Sequence, residues 1–132
     1  MRAGVAEVVL MDLTEAVIAH MRWKIRLLQG INGQAELPNS ADVARDDVCD
    51  LGKWLGHATF EYSSLTGFSD TKSKHAAFHL RAAEVVAAVE KGERDRAEAM
   101  LGADGPYTVA SGEVVLALTT LRAAARKAGK HL

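Results

Sequence analysis

The chain has 132 residues, of which 48% are hydrophobic and 25% charged, and its 16 basic and 17 acidic side chains nearly cancel. This length predicts one domain with one core and excludes separate sensor and catalytic domains, while the balanced charge gives no electrostatic sign of a nucleic-acid partner. A single cysteine excludes an intramolecular disulfide and favours a reducing cytoplasm.

The N-terminal segment does not fit a secretory leader. Its apolar run over residues 3–11 is interrupted by Glu7 and closed by Asp12. We find no apolar run approaching the roughly 20 residues needed to cross a membrane. The sequence therefore predicts a soluble cytoplasmic protein with neither a membrane nor a nucleic-acid partner.

The first helix is predicted to start at the capping box 12–15, which reads Asp-Leu-Thr-Glu. Gly30, Gly33 and Pro38 predict its end and the following loop. At about 100° per residue, the helix has a wide apolar sector that includes a histidine, His20. This sector contains Leu13, Val17, His20, Met21, Leu27, Leu28 and Ile31.

A second helix is predicted from Asp42 or Asp46 to Gly56. On its helical wheel Cys49, Gly52 and Gly56 fall together. Glycine lowers helix propensity by about 1 kcal/mol relative to alanine. We therefore expect the two glycines to serve close approach, so that side chains of a neighbouring helix can reach the cysteine sulfur.

Residues 60–69 show no clear period and are predicted to form a connector. A third helix, capped at one of residues 69–71, is predicted to reach about Val89. Its apolar face repeats at helical spacing and includes both His75 and His79. Both histidines are therefore expected to face the core.

The rest of the chain predicts a short charged helix over residues 93–101 and a strong break at 102–106 before a last amphipathic helix. Four principal amphipathic helices and one short helical segment indicate an all-α fold, an antiparallel four-helix bundle. We assign residues 1–132 to a single domain with its core at about 12–128.

His75 and His79 lie four residues apart on one helix face and can bind one metal ion together. With His20 and the only cysteine, Cys49, they make a complete three-imidazole, one-thiolate shell for Zn²⁺. For each histidine alone, ordinary hydrogen bonding in the core or at the surface is the default interpretation. Three unpaired buried imidazoles would each cost about 1–3 kcal/mol, which favours a shared metal.

Other polar residues near this pattern are interpreted differently. His57 follows a helix end and His131 is the penultimate residue, so both are expected to face solvent. Asp46 and Asp50 flank Cys49 and could orient an imidazole, although surface solvation is the preferred interpretation. The two tryptophans are expected to pack beside the site.

Several functions fit a metal in a helical bundle. Four protein ligands close a zinc shell, whereas a catalytic zinc keeps an open position, so we predict no catalytic residue. Oxidation of a zinc-bound Cys49 thiolate would weaken its bond to the metal, which adds a redox-sensing role. The alternatives are a helical-bundle metalloenzyme, a di-iron oxygen carrier and a metal-free bundle. No histidine has the glutamate three residues before it that di-iron sites use.

His20 with Trp23 three residues on, the segment CDLGKWL over 49–55, and the pair His75 and His79 together resemble the bacterial chemoreceptor zinc-binding domain family. The Cys-x-Leu-Gly-x-Trp core is the specific part of this pattern. The resemblance extends over most of the chain, and all four ligand positions are present in order.

The resemblance implies a helical bundle that binds zinc and regulates outputs such as chemotaxis or cyclic-di-GMP synthesis. It also implies a homodimer with a signalling-protein partner. Some members are linked to sensing hypochlorous acid through the zinc-bound cysteine, which corresponds here to Cys49.

Overall fold

The computed structural model describes residues 13–47 and 49–129, and this part of the chain contains six helices and no strand. The helices are α1 (Leu13–Ile31), α2 (Ser40–Val43), α3 (Asp50–Tyr62), α4 (Phe68–Glu90), α5 (Arg94–Met100) and α6 (Pro106–Lys127). The all-α prediction is confirmed. Four of the helices are long, and their antiparallel arrangement stays a prediction. Asp12 of the predicted capping box and His131 lie outside the described residues.

Helix α1 carries two different apolar faces. Ala16, His20 and Leu27 are buried, whereas Met21 is 58% and Leu28 is 38% exposed. The apolar sector is therefore only partly buried, since Met21 and Leu28 face solvent. The wheel counts apolar side chains, but which of them are buried depends on where the other helices pack.

The second predicted helix is wrong at both ends. Residues 42–56 divide into the short α2 and the start of α3, which runs on to Tyr62. Cys49 precedes α3 as its N-cap, with extended backbone, and its sulfur accepts a hydrogen bond from the amide of Gly52. A sulfur thus takes the place of the oxygen that usually caps a helix. The predicted connector 60–69 shrinks to 63–67.

Helix α4 lies at the centre of the fold and packs most extensively against α6. It starts at Phe68 after Gly67, which has a φ of +92° and provides no side-chain cap, so the cap predicted at residues 69–71 is wrong. A Cβ at Gly67 would also lie 3.1 Å from the backbone nitrogen of Leu121 in α6. Glycine therefore lets α4 begin in close contact with α6. The core between these helices is made by Phe78, Val85, Val86, Val114, Leu118 and Leu121, all at most 1% exposed.

The last two helices fall close to their predicted positions. Helix α5 lies within the predicted segment 93–101, and α6 starts at Pro106, the final residue of the predicted break. Proline suits the first turn of a helix, because a backbone N–H there has no acceptor within the helix and its absence removes no hydrogen bond.

Helix α6 is 22 residues long, and an 18-residue window within it, with a mean hydropathy of 1.2, is apolar enough to cross a membrane by length and composition. A single helix of this kind is weak evidence for a membrane span. The core helix of a globular protein passes the same test. Val114, Leu118 and Leu121 place one face of α6 in the core.

Candidate metal centre

His75 and His79 lie one turn apart on the buried face of α4, where they are 1% and 3% exposed. Their ring centroids are 4.6 Å apart at an angle of 81°, and their Nε2 atoms are 3.1 Å apart. Side chains at i and i+4 share a helix face, and here both Nε2 atoms meet at one point.

The orientation of His79 is set by a backbone carbonyl. Its Nδ1 lies 3.0 Å from the carbonyl oxygen of Val43, the last residue of α2. A carbonyl only accepts, so Nδ1 carries the proton and Nε2 keeps its lone pair for a metal. The start of α2 is in turn fixed by Glu90, whose carboxylate accepts hydrogen bonds from the Ser40 amide at 3.1 Å and hydroxyl at 2.8 Å.

His20 reaches the same point from α1. Its Nδ1 is 2.7 Å from the Ala16 carbonyl oxygen, one turn earlier on the helix. Its ring lies 5.2 Å from the His75 ring. The Nε2 atom is buried without a hydrogen-bond partner in the described part of the chain. Leaving such an atom unpaired is costly, so its placement next to the other ligand candidates fits a metal.

Cys49 completes the group at the N-terminus of α3. Its Sγ is 3.2 Å from Nε2 of His75 and 3.5 Å from Nε2 of His79. The Gly52 amide donates to this sulfur at 3.3 Å. The hydrogen bond and the helix N-terminus both favour negative charge on the sulfur, as a metal-bound thiolate requires.

The glycine in the sequence CDLGKWL keeps Cys49 in place in a way different from the one predicted. A Cβ at Gly52 would overlap the backbone carbonyl oxygen of Asp46, in the loop before Cys49. The chain's own loop, rather than a side chain from a neighbouring helix, makes the close approach. Gly56 has no such neighbour within 4 Å, so the expectation of close approach is wrong there.

One atom from each of His20, Cys49, His75 and His79 can be chosen so that all four lie within 4.8 Å of one another. Three imidazole nitrogens and one sulfur are the donor set of tetrahedral zinc sites. The sequence model of the chemoreceptor zinc-binding domain matches residues 20–86, which is half of the chain and includes all four side chains.

The chain belongs to the chemoreceptor zinc-binding domain family. No curated protein and no solved structure matches it significantly. The family is one of regulatory sensory domains rather than enzymes, and its cofactor is Zn²⁺. This chain is therefore a zinc-binding signalling domain.

Electrostatics in this zinc-binding domain favour a bound cation. Burial lowers the pKa of His20, and burial together with the neighbouring histidines lowers the pKa of His75 to about 3. Both shifts favour the neutral imidazoles of His20 and His75, the form that metal ligation requires. Burial, together with Asp50, raises the pKa of the Cys49 thiol. A cation at the centre of the group offsets this desolvation of the thiolate.

The other residues considered in the zinc-binding domain lie outside the ligand group. His57 is exposed, as expected. Asp50 is also exposed, and Asp46 acts through its backbone carbonyl. Trp54 is 2% exposed and stacks on Tyr62, which fits its predicted packing role.

The carbonyl groups of Ala16 and Val43 and the carboxylate of Glu90 were missed by sequence reasoning. Every residue has a carbonyl, so the two that hold the imidazoles leave no signal in the amino-acid pattern. Glu90 lies 50 residues from its partner Ser40, and only the fold reveals their contact.

Proposed function

We propose that His20, Cys49, His75 and His79 together hold one zinc ion, and that gain or loss of this ion regulates a bacterial signalling protein. The observation that carries this proposal is the meeting of four donor atoms from α1, α3 and α4 within 4.8 Å. A metal held by three helices cross-links them, so its loss changes their packing.

The four-ligand shell supports a sensory role rather than catalysis. With four protein donors, the metal has no position left for a reacting water. Chemotaxis or cyclic-di-GMP signalling is the output we assign, on the strength of family membership. The domain would act in the cytoplasm, where Cys49 stays reduced when no oxidant is present.

Cys49 adds a second input, because a zinc-bound thiolate is a nucleophile. Its sulfur attacks the chlorine of hypochlorous acid, the Cl–O bond breaks and hydroxide leaves. Water then displaces chloride from the sulfur and releases a proton, which gives the sulfenic acid. The sulfur is oxidised, chlorine is reduced to chloride, and the product binds zinc more weakly than the thiolate.

Treatment of the zinc-loaded domain with one equivalent of hypochlorous acid is expected to release most of the zinc and to oxidise Cys49 before any methionine. A colorimetric zinc chelator follows the release, and peptide mass spectrometry locates the added oxygen. Met21 is 58% exposed in the single chain and is the more exposed of the two described methionines, Met21 and Met100, so it is the competitor to compare.

The matched control for this oxidation is Met21→Leu, which should release zinc as the wild type does. Retention of zinc after Cys49 is oxidised would remove the redox input from the proposal. Oxidation of Met21 ahead of Cys49 would do the same.

We further propose that the domain is a homodimer formed through the exposed face of α1. Ile18, Met21, Ile25 and Leu28 are 43%, 58%, 58% and 38% exposed. Their spacing of three, four and three residues makes a continuous stripe of the kind that packs between two helices. Because His20 lies on the same helix, this dimer would couple zinc binding to helix–helix geometry.

Native mass spectrometry tests the ligands and the dimer together. Wild type purified without added zinc is expected to show two chains with about one zinc each. The single variants Cys49→Ala and His79→Ala should lose the zinc. The double variant Met21→Glu, Ile25→Glu should raise the dimer dissociation constant about 100-fold and keep the zinc.

The two parts of this proposal fail separately. Full zinc content in both ligand variants contradicts the ligand set. An intact dimer in the double variant contradicts the α1 interface, whatever the metal content. His57→Ala changes an exposed histidine that is not one of the four proposed ligands. It serves as the control for both the zinc content and the dimer.

A further inference from the structure

A cavity of about 260 Å³ adjoins the metal centre. Trp23 and Arg26 of α1 line one side, and Pro38 and Val43 line another. Cys49 and His79 also line the cavity, so it borders the ligand group. The cavity therefore connects the protein surface with one side of the proposed zinc shell.

The four proposed ligands differ in their contact with solvent. His20, His75 and His79 are at most 3% exposed. Cys49 is only partly buried. Cys49 is therefore the proposed ligand with the greatest contact with solvent.

The positive and negative charges at the cavity nearly balance. Arg45 lines the cavity but is 3.1 Å from the carboxylate of Asp47. Asp42 also lines it, so the charges of Arg26 and Arg45 are balanced by the two carboxylates of Asp42 and Asp47. The remaining walls are mainly apolar, so an uncharged molecule enters without losing strong interactions with water.

Trp23 is the bulkiest side chain in the cavity wall. It follows His20 by three residues and so lies on a neighbouring part of the α1 surface. The guanidinium of Arg26 lies 4.7 Å from the centroid of its ring and packs against the indole. Trp23 therefore lines the same cavity as Cys49, and its indole ring makes part of the cavity wall.

We propose that this cavity is the entrance through which small uncharged oxidants, hypochlorous acid or hydrogen peroxide, reach Cys49, and that Trp23 limits the size of molecule admitted. This inference rests on the redox part of the proposed function. It adds a specificity element on α1, because the side chain that controls access lies on the same helix that supplies His20.

The test compares two uncharged thiol reagents of different size on the zinc-loaded protein. Methyl methanethiosulfonate is small, and 4,4′-dithiodipyridine is bulky. Second-order rate constants for modification of Cys49 are measured by mass spectrometry. In Trp23→Ala the bulky reagent is expected to react about tenfold faster than in the wild type, with less than about a twofold change for the small reagent.

Arg22→Ala is the matched control, since Arg22 is the neighbouring exposed residue on α1 and does not line the cavity. It should leave both rate constants unchanged. Zinc content and circular dichroism establish that each variant is folded. Trp23→Leu gives the same comparison if Trp23→Ala does not fold.

Equal acceleration of both reagents in the Trp23 variants would overturn the inference, because general loosening of the fold admits small and large molecules alike. Unchanged rates for both reagents would overturn it as well. If hypochlorous acid leaves zinc in place in the wild type, the redox function fails. The size dependence of thiol modification is measured separately and still decides the role of Trp23.

Discussion

Removal of zinc by a chelator is expected to lower the thermal midpoint of this domain by at least about 10 °C. Free zinc at 1,000 times its dissociation constant stabilises a folded protein by about 4 kcal/mol. For a chain of this size, each kcal/mol corresponds to roughly 3 °C. Circular dichroism at the helical band, recorded with and without chelator, measures the shift.

The physical reason lies in how the ligands are distributed. His20 lies on α1, Cys49 is the N-cap of α3, and the two histidines lie on α4, so the metal would hold these three helices together. Without it, the buried Nε2 of His20 has no partner among the described residues. The apo form thus loses a cross-link and keeps an unpaired buried polar atom.

Ligand variants separate the metal effect from general destabilisation. Cys49→Ala and His79→Ala should unfold at lower temperature than the wild type and show no further change with chelator. His57→Ala should respond to chelator as the wild type does. Equal midpoints for wild-type protein with and without chelator would show that zinc does not cross-link the helices.

Gly52→Ala is expected to destabilise the domain by about 1–3 kcal/mol, the usual cost of forcing extra volume into a packed site. The added methyl group would overlap the carbonyl oxygen of Asp46 and approach its carbonyl carbon to 2.7 Å. Both atoms are backbone, so the loop itself must shift, and Cys49 lies in the same loop. We therefore expect weaker zinc binding as well as lower stability.

Gly56→Ala is the matched change one turn later on α3. Gly56 is exposed, and no atom lies within 4 Å of an added Cβ. Alanine should stabilise the helix there by up to about 1 kcal/mol and leave zinc binding unchanged. Urea unfolding and a zinc competition titration measure both quantities. Equal effects of the two substitutions would show that contact with the Asp46 carbonyl does not constrain position 52.

The sequence by itself determined the helical class of the protein and the identity of the candidate ligands. Residues four apart on a helix lie on the same face, so a helix over His75 and His79 brings the two imidazoles together wherever it packs. Cys49 is the only thiol in the chain. These inferences depend on local periodicity and on side-chain chemistry, both of which can be read from the order of residues.

Only the tertiary structure decided how the ligands are held. Cys49 is a helix N-cap rather than a helical residue, and Gly52 admits the loop carbonyl of Asp46. The proton on His79 is fixed by the carbonyl of Val43. Packing also decided which apolar face of α1 is buried. Backbone carbonyls are the same in every residue and long-range packing has no local period, so neither can be read from the sequence.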